Sequence, residues 1–185
     1  VTSIGKYSFY SCTSLTSIAI PNNITNIPEH AFDCCISLES IVIPDGVTSI
    51  GEWAFRRCDN LTSIAIPESV TSIGSNVFYG CSSLTSVVIP AGVTSIGYAA
   101  FDGCSSLTSI NIPDSVTSIG HYAFSGCSSL TSVTIGDSVT SIGYQAFRDC
   151  KSLTTVNFNA TNCTAMGSSN YPVFNGCSNL TTVNI

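Results

Sequence analysis

Residues 84–106, LTSVVIPAGVTSIGYAAFDGCSS, decide the fold of this chain. Within them Val87 and Ile89 alternate with polar or outward residues at the two-residue period of a β-strand. Pro90 cannot donate to a β-ladder and therefore ends that strand. The VTSI that follows is rich in β-branched residues and predicts a second short extended segment, which stops at Gly97.

The third segment of this stretch has a different period. Ala100, Phe101, Cys104 and Leu107 lie at i, i+1, i+4 and i+7, which is typical of one face of a short helix or 3₁₀ turn. A unit made of two short strands and one such turn buries very little apolar surface alone. It therefore has to stack on copies of itself.

The copies are present along the whole chain at a period of 23 residues. Each recurring Phe is followed three residues later by Cys and six residues later by Leu. A last unit, with Phe174, comes 27 residues after its predecessor, and its four additional residues fall within residues 159–172. The other units are marked by Phe9, Phe32, Phe55, Phe78, Phe101, Phe124 and Phe147.

This periodicity predicts a repeat solenoid with a parallel β-sheet on its concave face. Short strands and short helical or 3₁₀ turns are expected on the other faces. We expect a single solenoid domain over residues 1–185, with eight concave strands, seven full coils and a longer last repeat over residues 153–179. Because the chain opens in mid-repeat, we also expect it to be a piece of a longer protein.

Composition excludes several classes of protein. Charged residues make up only 9% of the chain and the mean hydropathy is +0.38, yet no apolar run reaches the ~20 residues of a membrane span. We therefore expect no membrane insertion. With five Lys and Arg and a net charge of -6, the chain lacks the basic face that nucleic-acid binding requires.

The consensus I-P-x-x-V-T-S-I-G-x-x-A-F-x-x-C resembles the BspA-like class of leucine-rich repeats, the 23-residue repeat surface proteins. The resemblance covers essentially the whole chain and implies a leucine-rich-repeat-like solenoid, secreted or on the cell surface, acting in adhesion or host contact. The commoner leucine-rich repeat carries an Asn ladder at the ninth position. Here that position holds Asn23, Gly46, Ser69, Gly92, Ser115, Ser138 and Thr161.

The cysteines and histidines do not form a recognisable reactive motif. Eight of the ten Cys occupy one repeat position, where parallel Cα–Cβ vectors ~4.8 Å apart suit a buried ladder better than disulfides. Cys34 and Cys163 lie off that ladder and are the candidates for thiol reactivity. His30 and His121 are about four coils apart, or ~20 Å, so they cannot share a metal. His30 fills a variable slot that we expect to be exposed.

No nucleophile elbow, phosphate loop or C-x-x-C is present, so we expect no enzyme activity, no cofactor and no metal site. Four acidic residues recur in the turn after the strand and indicate a solvated edge, with a weak cation-binding ridge as the alternative. These residues are Asp45, Glu68, Asp114 and Asp137.

Solenoids bind partners through their extended surfaces. The outward positions of the concave strands form the first candidate surface, which changes from small apolar residues to amides and hydroxyls toward the C-terminal end. Alternatively, Ser, Thr and Val occupy these positions because they suit exposed strands. The candidate residues are Ser86, Val88, Ser109, Asn111, Ser132, Thr134, Asn157 and Asn184.

A row of aromatic residues after the repeat Gly forms the second candidate surface. Exposed aromatic rings on a rigid scaffold are suited to stacking on sugars or to contacting a protein. The alternative is partial burial between neighbouring coils. The row consists of Tyr7, Trp53, Tyr98, Tyr122 and Tyr144.

Five N-x-[ST] sequences would predict surface glycosylation in a eukaryotic secretory protein. Their asparagines are Asn23, Asn60, Asn159, Asn162 and Asn179.

Taken together, these features predict a non-enzymatic binding module whose partner is a protein or glycan, including host extracellular matrix. The alternative is a structural spacer or a unit that self-associates end to end through its open β edges.

Overall fold

The computed structural model describes residues 1–185 and contains fifteen parallel β-strands and no helix. Each coil contributes one strand to a concave ladder and one shorter strand to a second ladder. The concave strands are β1 (Ser17–Ala19), β3 (Ser40–Val42), β5 (Ser63–Ala65), β7 (Ser86–Val88), β9 (Ser109–Ile112), β11 (Ser132–Ile135), β13 (Thr155–Phe158) and β15 (Thr182–Asn184). The second ladder consists of β2 (Asn26–Ile27), β4 (Ser49–Ile50), β6 (Ser72–Ile73), β8 (Ser95–Ile96), β10 (Ser118–Ile119), β12 (Ser141–Ile142) and β14 (Ala165–Met166).

Paired strands keep the register that the repeat predicts, with Ser17 opposite Ser40 in the concave ladder and Ser95 opposite Ser118 in the second. Strand pairing is interrupted between β3 and β5, between β7 and β9, and between β4 and β6. The Thr before each strand adds a second contact between coils. The backbone N–H of Thr85 donates to the carbonyl of Thr62 at 3.0 Å, and its Oγ1 donates to the same oxygen at 3.1 Å. The abundant Thr of this chain therefore serves the ladders, because it satisfies exposed backbone carbonyls without adding charge.

The core is one continuous cluster of 50 buried residues that runs the length of the stack. Its centre is a column of Phe rings, one from each coil. Phe101 lies between Phe78 and Phe124 with ring centroids 5.2 Å away on either side. The positive hydropathy of the chain therefore comes from this column and the Leu, Ile, Val and Cys around it.

The segment after the repeat Gly differs from the prediction of a short helix or 3₁₀ turn. It consists of turns in which two residues per coil have left-handed backbones, as at Ala99 (φ 48) and Gly103 (φ 75). The N–H groups of Ala99, Phe101 and Gly103 donate to carbonyls of the next coil at 2.8–2.9 Å. Because these bonds between coils replace the i to i−4 bonds of a helix, the apolar spacing forms no helix. The structure has no helix of the length and apolar character that a membrane span requires.

The longer last repeat accommodates its additional residues in two places within the predicted segment. Ser141 of β12 pairs with Ala165 of β14, 24 residues along, so one residue is inserted before β14. The other three lie between β14 and Phe174, where Ser168 and Tyr171 form an isolated antiparallel bridge. The stack continues past the insertion, because Thr155 pairs with Thr182 and Phe174 stacks on Phe147 at 5.4 Å.

Candidate functional site

The concave candidates lie on the outward face of the long strands. In β7 the side chain of Val87 is buried, whereas that of Val88 is 73% exposed. No strand of the structure carries a charged residue, so this face is neutral over its whole length. All eight sequence-predicted residues lie on it, and Ser132, Thr134 and Asn157 are half-buried.

The amides at the C-terminal end of this face bond to one another. Asn184 Nδ2 donates to Asn157 Oδ1 at 2.8 Å, and Asn157 Nδ2 donates to Thr134 Oγ1 at 3.4 Å. These hydrogen bonds join side chains of neighbouring strands. They occupy amide groups that would otherwise be available to a partner. Among the three predicted asparagines only Asn111 makes no side-chain bond within the protein.

The aromatic row occupies two different slots of the repeat. Tyr98 and Tyr144 lie three residues before Phe and are exposed. Tyr7, Trp53 and Tyr122 lie two residues before Phe, and all three have left-handed backbones with φ near 59. The structure therefore does not produce one continuous row: Tyr98 and Tyr122 contact each other at 5.8 Å, and two further clusters form on either side of them.

The first cluster, which we call the N-terminal aromatic patch, consists of Tyr7, Tyr10, His30, Trp53 and Tyr79. The imidazole of His30 lies between the rings of Tyr7, at 4.6 Å, and Trp53, at 6.0 Å. Tyr10 contacts Tyr7 at 5.8 Å and Tyr79 contacts Trp53 at 6.0 Å, so the five rings form an unbroken chain. The three tyrosines are exposed and form the outer part of the patch.

A buried carboxylate holds this patch in place. Asp33 is fully buried and accepts hydrogen bonds from Arg56 Nε and from His30 Nδ1, each at 2.7 Å. The guanidinium of Arg56 also lies 5.2 Å from the ring centroid of Trp53, within the range of a cation–π contact. A buried charge that is paired on both sides restricts the rotamers of its partners, so Asp33 orients the His30 and Arg56 side chains that contact Trp53.

These contacts correct the expectation for His30. Its side chain is 17% exposed and paired with Asp33, and the same slot is buried at Asn76, Ala99 and Gln145, so the expectation of an exposed slot is wrong. Sequence reasoning also missed Asp33 and Arg56. The signal was present, because the two residues occupy the same repeat position with opposite charges 23 residues apart.

The second cluster borders a groove in the C-terminal half, which we call the C-terminal aromatic groove. The groove has a volume of about 410 Å³, and its lining includes Ser118, Ser141, His121 and Tyr144. The imidazole of His121 stacks on the ring of Tyr144 at 4.5 Å. Outside the lining, Tyr171 lies 5.9 Å from Tyr144, and Tyr98 contacts Tyr122 at 5.8 Å.

His121 and Tyr171 were missing from the sequence-predicted row. They would have been found by aligning only the third residue before each Phe. In four consecutive coils that position reads Tyr98, His121, Tyr144 and Tyr171, whereas the preceding coils carry Lys6, Glu29, Glu52 and Ser75. Combining two slots into one row concealed this difference between the halves.

Seven of the eight ladder cysteines donate hydrogen bonds to backbone carbonyls, whereas Cys12 is exposed and makes no such bond, contrary to the expectation of a wholly buried ladder. Cys104 is fully buried, and its thiol donates to the carbonyl of Phe78 in the preceding coil at 3.3 Å. Burial raises the pKa of the Cys81 thiol to about 12 and that of Cys35 to about 11. Off the ladder, Cys34 is half-buried near Arg56, and its pKa is raised chiefly by burial. These thiols are therefore held in their protonated, weakly nucleophilic form.

We expect a thiol reagent at about pH 8 to distinguish the exposed cysteine of the folded protein from its six buried ones. Exposed Cys12 should react readily, whereas the buried thiols at positions 35, 58, 81, 104, 127 and 150 should react only on unfolding. The raised pKa keeps these thiols protonated in the folded state, whereas the same thiols ionise in the unfolded chain. The free energy of unfolding should therefore also fall as pH rises above about 9. Mass spectrometry of labelled peptides, with and without urea, tests the first expectation. Rapid labelling of Cys104 in the folded protein would contradict it.

The other sequence-predicted positions are placed as follows. The five sequon asparagines are exposed, and the amides of Asn23 and Asn179 donate to backbone carbonyls of Val1 and Lys151. Glycosylation at these positions stays a prediction.

No three His, Cys, Asp or Glu side chains lie close enough together to hold a metal ion.

Comparisons with known proteins agree on one fold. A leucine-rich repeat protein of T. pallidum (TpLRR) is 30% identical, with a TM-score of 0.83 over 90% of this chain and 78% of that one. A leucine-rich repeat protein from Eubacterium ventriosum is also 30% identical, with a TM-score of 0.81 over 96% of this chain and 46% of that one. A leucine rich cell surface protein from Faecalibacterium prausnitzii is 27% identical, with a TM-score of 0.60 over 100% of this chain and 65% of that one. No curated protein matches the chain.

The family model confirms the resemblance that the repeat consensus indicated. The BspA type leucine rich repeat region, in six copies, matches residues 1–108 and 94–185, which together span the whole chain. The parallel ladders, the Phe column and the Cys donors described above are the structural counterparts of that repeat. This chain belongs to the BspA-type leucine-rich repeat family.

Proposed function

We propose that this chain is a non-enzymatic, extracellular binding module that recognises a protein through the N-terminal aromatic patch. The observation that carries the proposal is the chain of five contacting rings with Arg56 beside it. Tyr, Trp and Arg are the residues enriched at the energetic centres of protein–protein interfaces. Only 9% of the residues of this chain are charged, and its surface is largely Ser and Thr. The N-terminal aromatic patch is a site where Tyr, Trp and Arg are concentrated.

The patch also has the rigidity that favours binding. Its rings rest on a turn whose backbone N–H groups bond to the next coil, as Trp53 does to Ser75 at 3.3 Å. The hydrogen bonds of Asp33 to His30 and Arg56 restrict the rotamers of the two side chains that contact Trp53. Because these side chains are ordered before a partner arrives, less conformational entropy is lost on binding.

The concave face is a weaker candidate for the same role. It is neutral, lacks aromatic side chains on its exposed strand positions, and uses Asn157 and Asn184 in its own ladder. Its N-terminal half exposes Val42 and Val88, at 77% and 73%, in one narrow row. Such small side chains on strands are expected from β propensity alone.

The extracellular location is supported by the family and by the F. prausnitzii relative, which is described as a cell surface protein. Host extracellular-matrix proteins are accordingly the first partners to test. The spacer or end-to-end assembly role stays a prediction, favoured by the uniform faces of the solenoid.

The test is binding of the chain to an array of purified extracellular-matrix proteins, with the double variant Tyr10→Ala/Tyr79→Ala. Both tyrosines are exposed and lie outside the Asp33 network, so the fold should persist. We expect at least about a tenfold loss of affinity for the bound protein, the size of a hot-spot effect.

The matched control is Val42→Ser/Val88→Ser, which removes two exposed side chains of the concave face and should leave affinity unchanged. If the control weakens binding and the tyrosine variant does not, the concave face is the interface and the patch assignment is wrong. If no protein of the array binds the unaltered chain, the spacer role replaces the proposal.

A further inference from the structure

The C-terminal aromatic groove has the chemistry of a ligand site separate from the N-terminal patch. We propose that it binds a neutral carbohydrate chain that lies along the solenoid axis. This inference does not depend on the proposed protein-binding role, because the two sites share no residue.

The shape of the groove suits a linear ligand. Its lining comes from four successive coils, from Ile96 to Gly167. Gly120 and Gly143 line it without side chains, and a Cβ on Gly120 would lie 2.6 Å from the carbonyl carbon of Gly97. Since the stacking of the coils excludes a larger residue at Gly120, the groove is maintained by the packing of the fold itself.

The polar groups along the groove are free and their hydrogen-bonding roles are defined. The hydroxyls of Ser118 and Ser141 make no hydrogen bond with another protein group, so each can donate to and accept from a ligand. The N–H of Tyr144 donates to His121 Nδ1 at 2.6 Å. Because Nδ1 is an acceptor, the neutral imidazole carries its proton on Nε2 and offers a donor. Hydroxyl groups of a sugar are complementary to this mixture of donors and acceptors.

The charge of the groove selects against ionic ligands. None of its eleven lining residues is charged, although the chain as a whole carries a net charge of -6. A sugar acid or a phosphate would lose hydration there without gaining a cationic partner. The aromatic side, with Tyr144 43% exposed, offers apolar surface to the C–H groups of a sugar ring.

The repeat supplies these groups at a spacing that matches a polymer. Coils are ~4.8 Å apart, close to the length of one pyranose unit, and the two central coils of the groove contribute Ser118 with His121 and Ser141 with Tyr144. The match is restricted to this half of the solenoid. In the N-terminal half the aromatic slot holds Glu29 and Glu52, whose carboxylates would alter the neutral surface.

The test is isothermal titration of the chain with linear β-1,4-glucan and β-mannan oligosaccharides, from a single sugar to a hexasaccharide. We expect affinity to rise with length up to the tetrasaccharide and then to level off, because the groove spans four coils. Polygalacturonate fragments of equal length are the anionic comparison and should bind at least about tenfold more weakly. Equal binding of both series, or binding that is independent of length, overturns the proposal, as does the absence of binding by every neutral chain.

Three variants locate the site. Tyr144→Ala should weaken binding of the tetrasaccharide about tenfold, and Ser118→Ala/Ser141→Ala should have a comparable effect. Tyr79→Ala, in the N-terminal patch, should leave sugar binding unchanged. Unaltered sugar affinity in Tyr144→Ala with an unchanged thermal unfolding curve would remove the groove from consideration. Matrix-protein binding depends on Tyr10 and Tyr79, so either proposal can fail while the other survives.

Discussion

Replacing Phe101 by Ala is expected to lower the free energy of unfolding by about 3–5 kcal/mol, the range observed for aromatic truncations in protein cores. Phe101 is fully buried and stacks between Phe78 and Phe124, at 5.2 Å on each side. Its removal leaves a cavity in the centre of the core column. The surrounding coils cannot close it, because their separation is set by the β-ladders on two other faces.

The destabilisation caused by Phe101→Ala should extend beyond the coil that contains it. In a solenoid each coil is stabilised mainly by its neighbours, so a weak interface in the middle separates the stack into two cooperative units. Urea unfolding followed by circular dichroism should show an earlier and broader transition for Phe101→Ala. Tyr98→Ala, three residues away and exposed, is the control and should change stability by less than about 0.5 kcal/mol. A loss below about 1 kcal/mol for Phe101→Ala would contradict the role of the column.

Two glycines at the same repeat position are expected to respond differently to Ala. A Cβ on Gly97 would lie 2.6 Å from the carbonyl carbon of Gly74 in the preceding coil. Because backbone atoms cannot rotate away, Gly97→Ala must separate two coils and should cost about 3 kcal/mol, at the upper end of overpacking effects. A Cβ on Gly74 has no atom nearer than 3.6 Å, which is an ordinary contact.

Gly74→Ala is therefore the matched control, and it should be neutral or stabilising by up to about 1 kcal/mol through the unfolded state. Thermal unfolding of the two variants beside the unaltered chain measures the difference. Equal melting temperatures for the two variants would show that the coils separate easily, and the Gly row would then have no special role in their spacing.

These expectations matter for binding because the candidate surfaces depend on the same coil stacking. The C-terminal aromatic groove exists where glycines bring coils into close contact, and its His121 and Tyr144 side chains belong to adjacent coils. The N-terminal aromatic patch likewise joins residues of successive coils through His30 and Asp33. Loss of local packing should therefore weaken binding without any change of a contact residue.

Sequence periodicity alone determined the fold, because residues 23 apart must be neighbours when identical coils stack. It also determined which residues form the core, since Phe, Cys and Leu recur in one register, and it located the insertion before Phe174. The same arithmetic placed the concave candidates on one face. None of these inferences required knowledge of how a single side chain is oriented.

Tertiary structure decided the features that involve different repeat slots. The expected helix after the Gly is a turn, because the N–H groups of Ala99, Phe101 and Gly103 bond to the next coil. The aromatic row became separate clusters, because rings contact one another only within or between neighbouring coils, and the coil of Asn76 carries no ring in either slot of the row. Asp33 became the centre of a buried network only when Arg56 reached it from the next coil. The physical reason is that repetition specifies which coils meet, whereas side-chain rotamers and hydrogen bonds between coils determine which atoms meet.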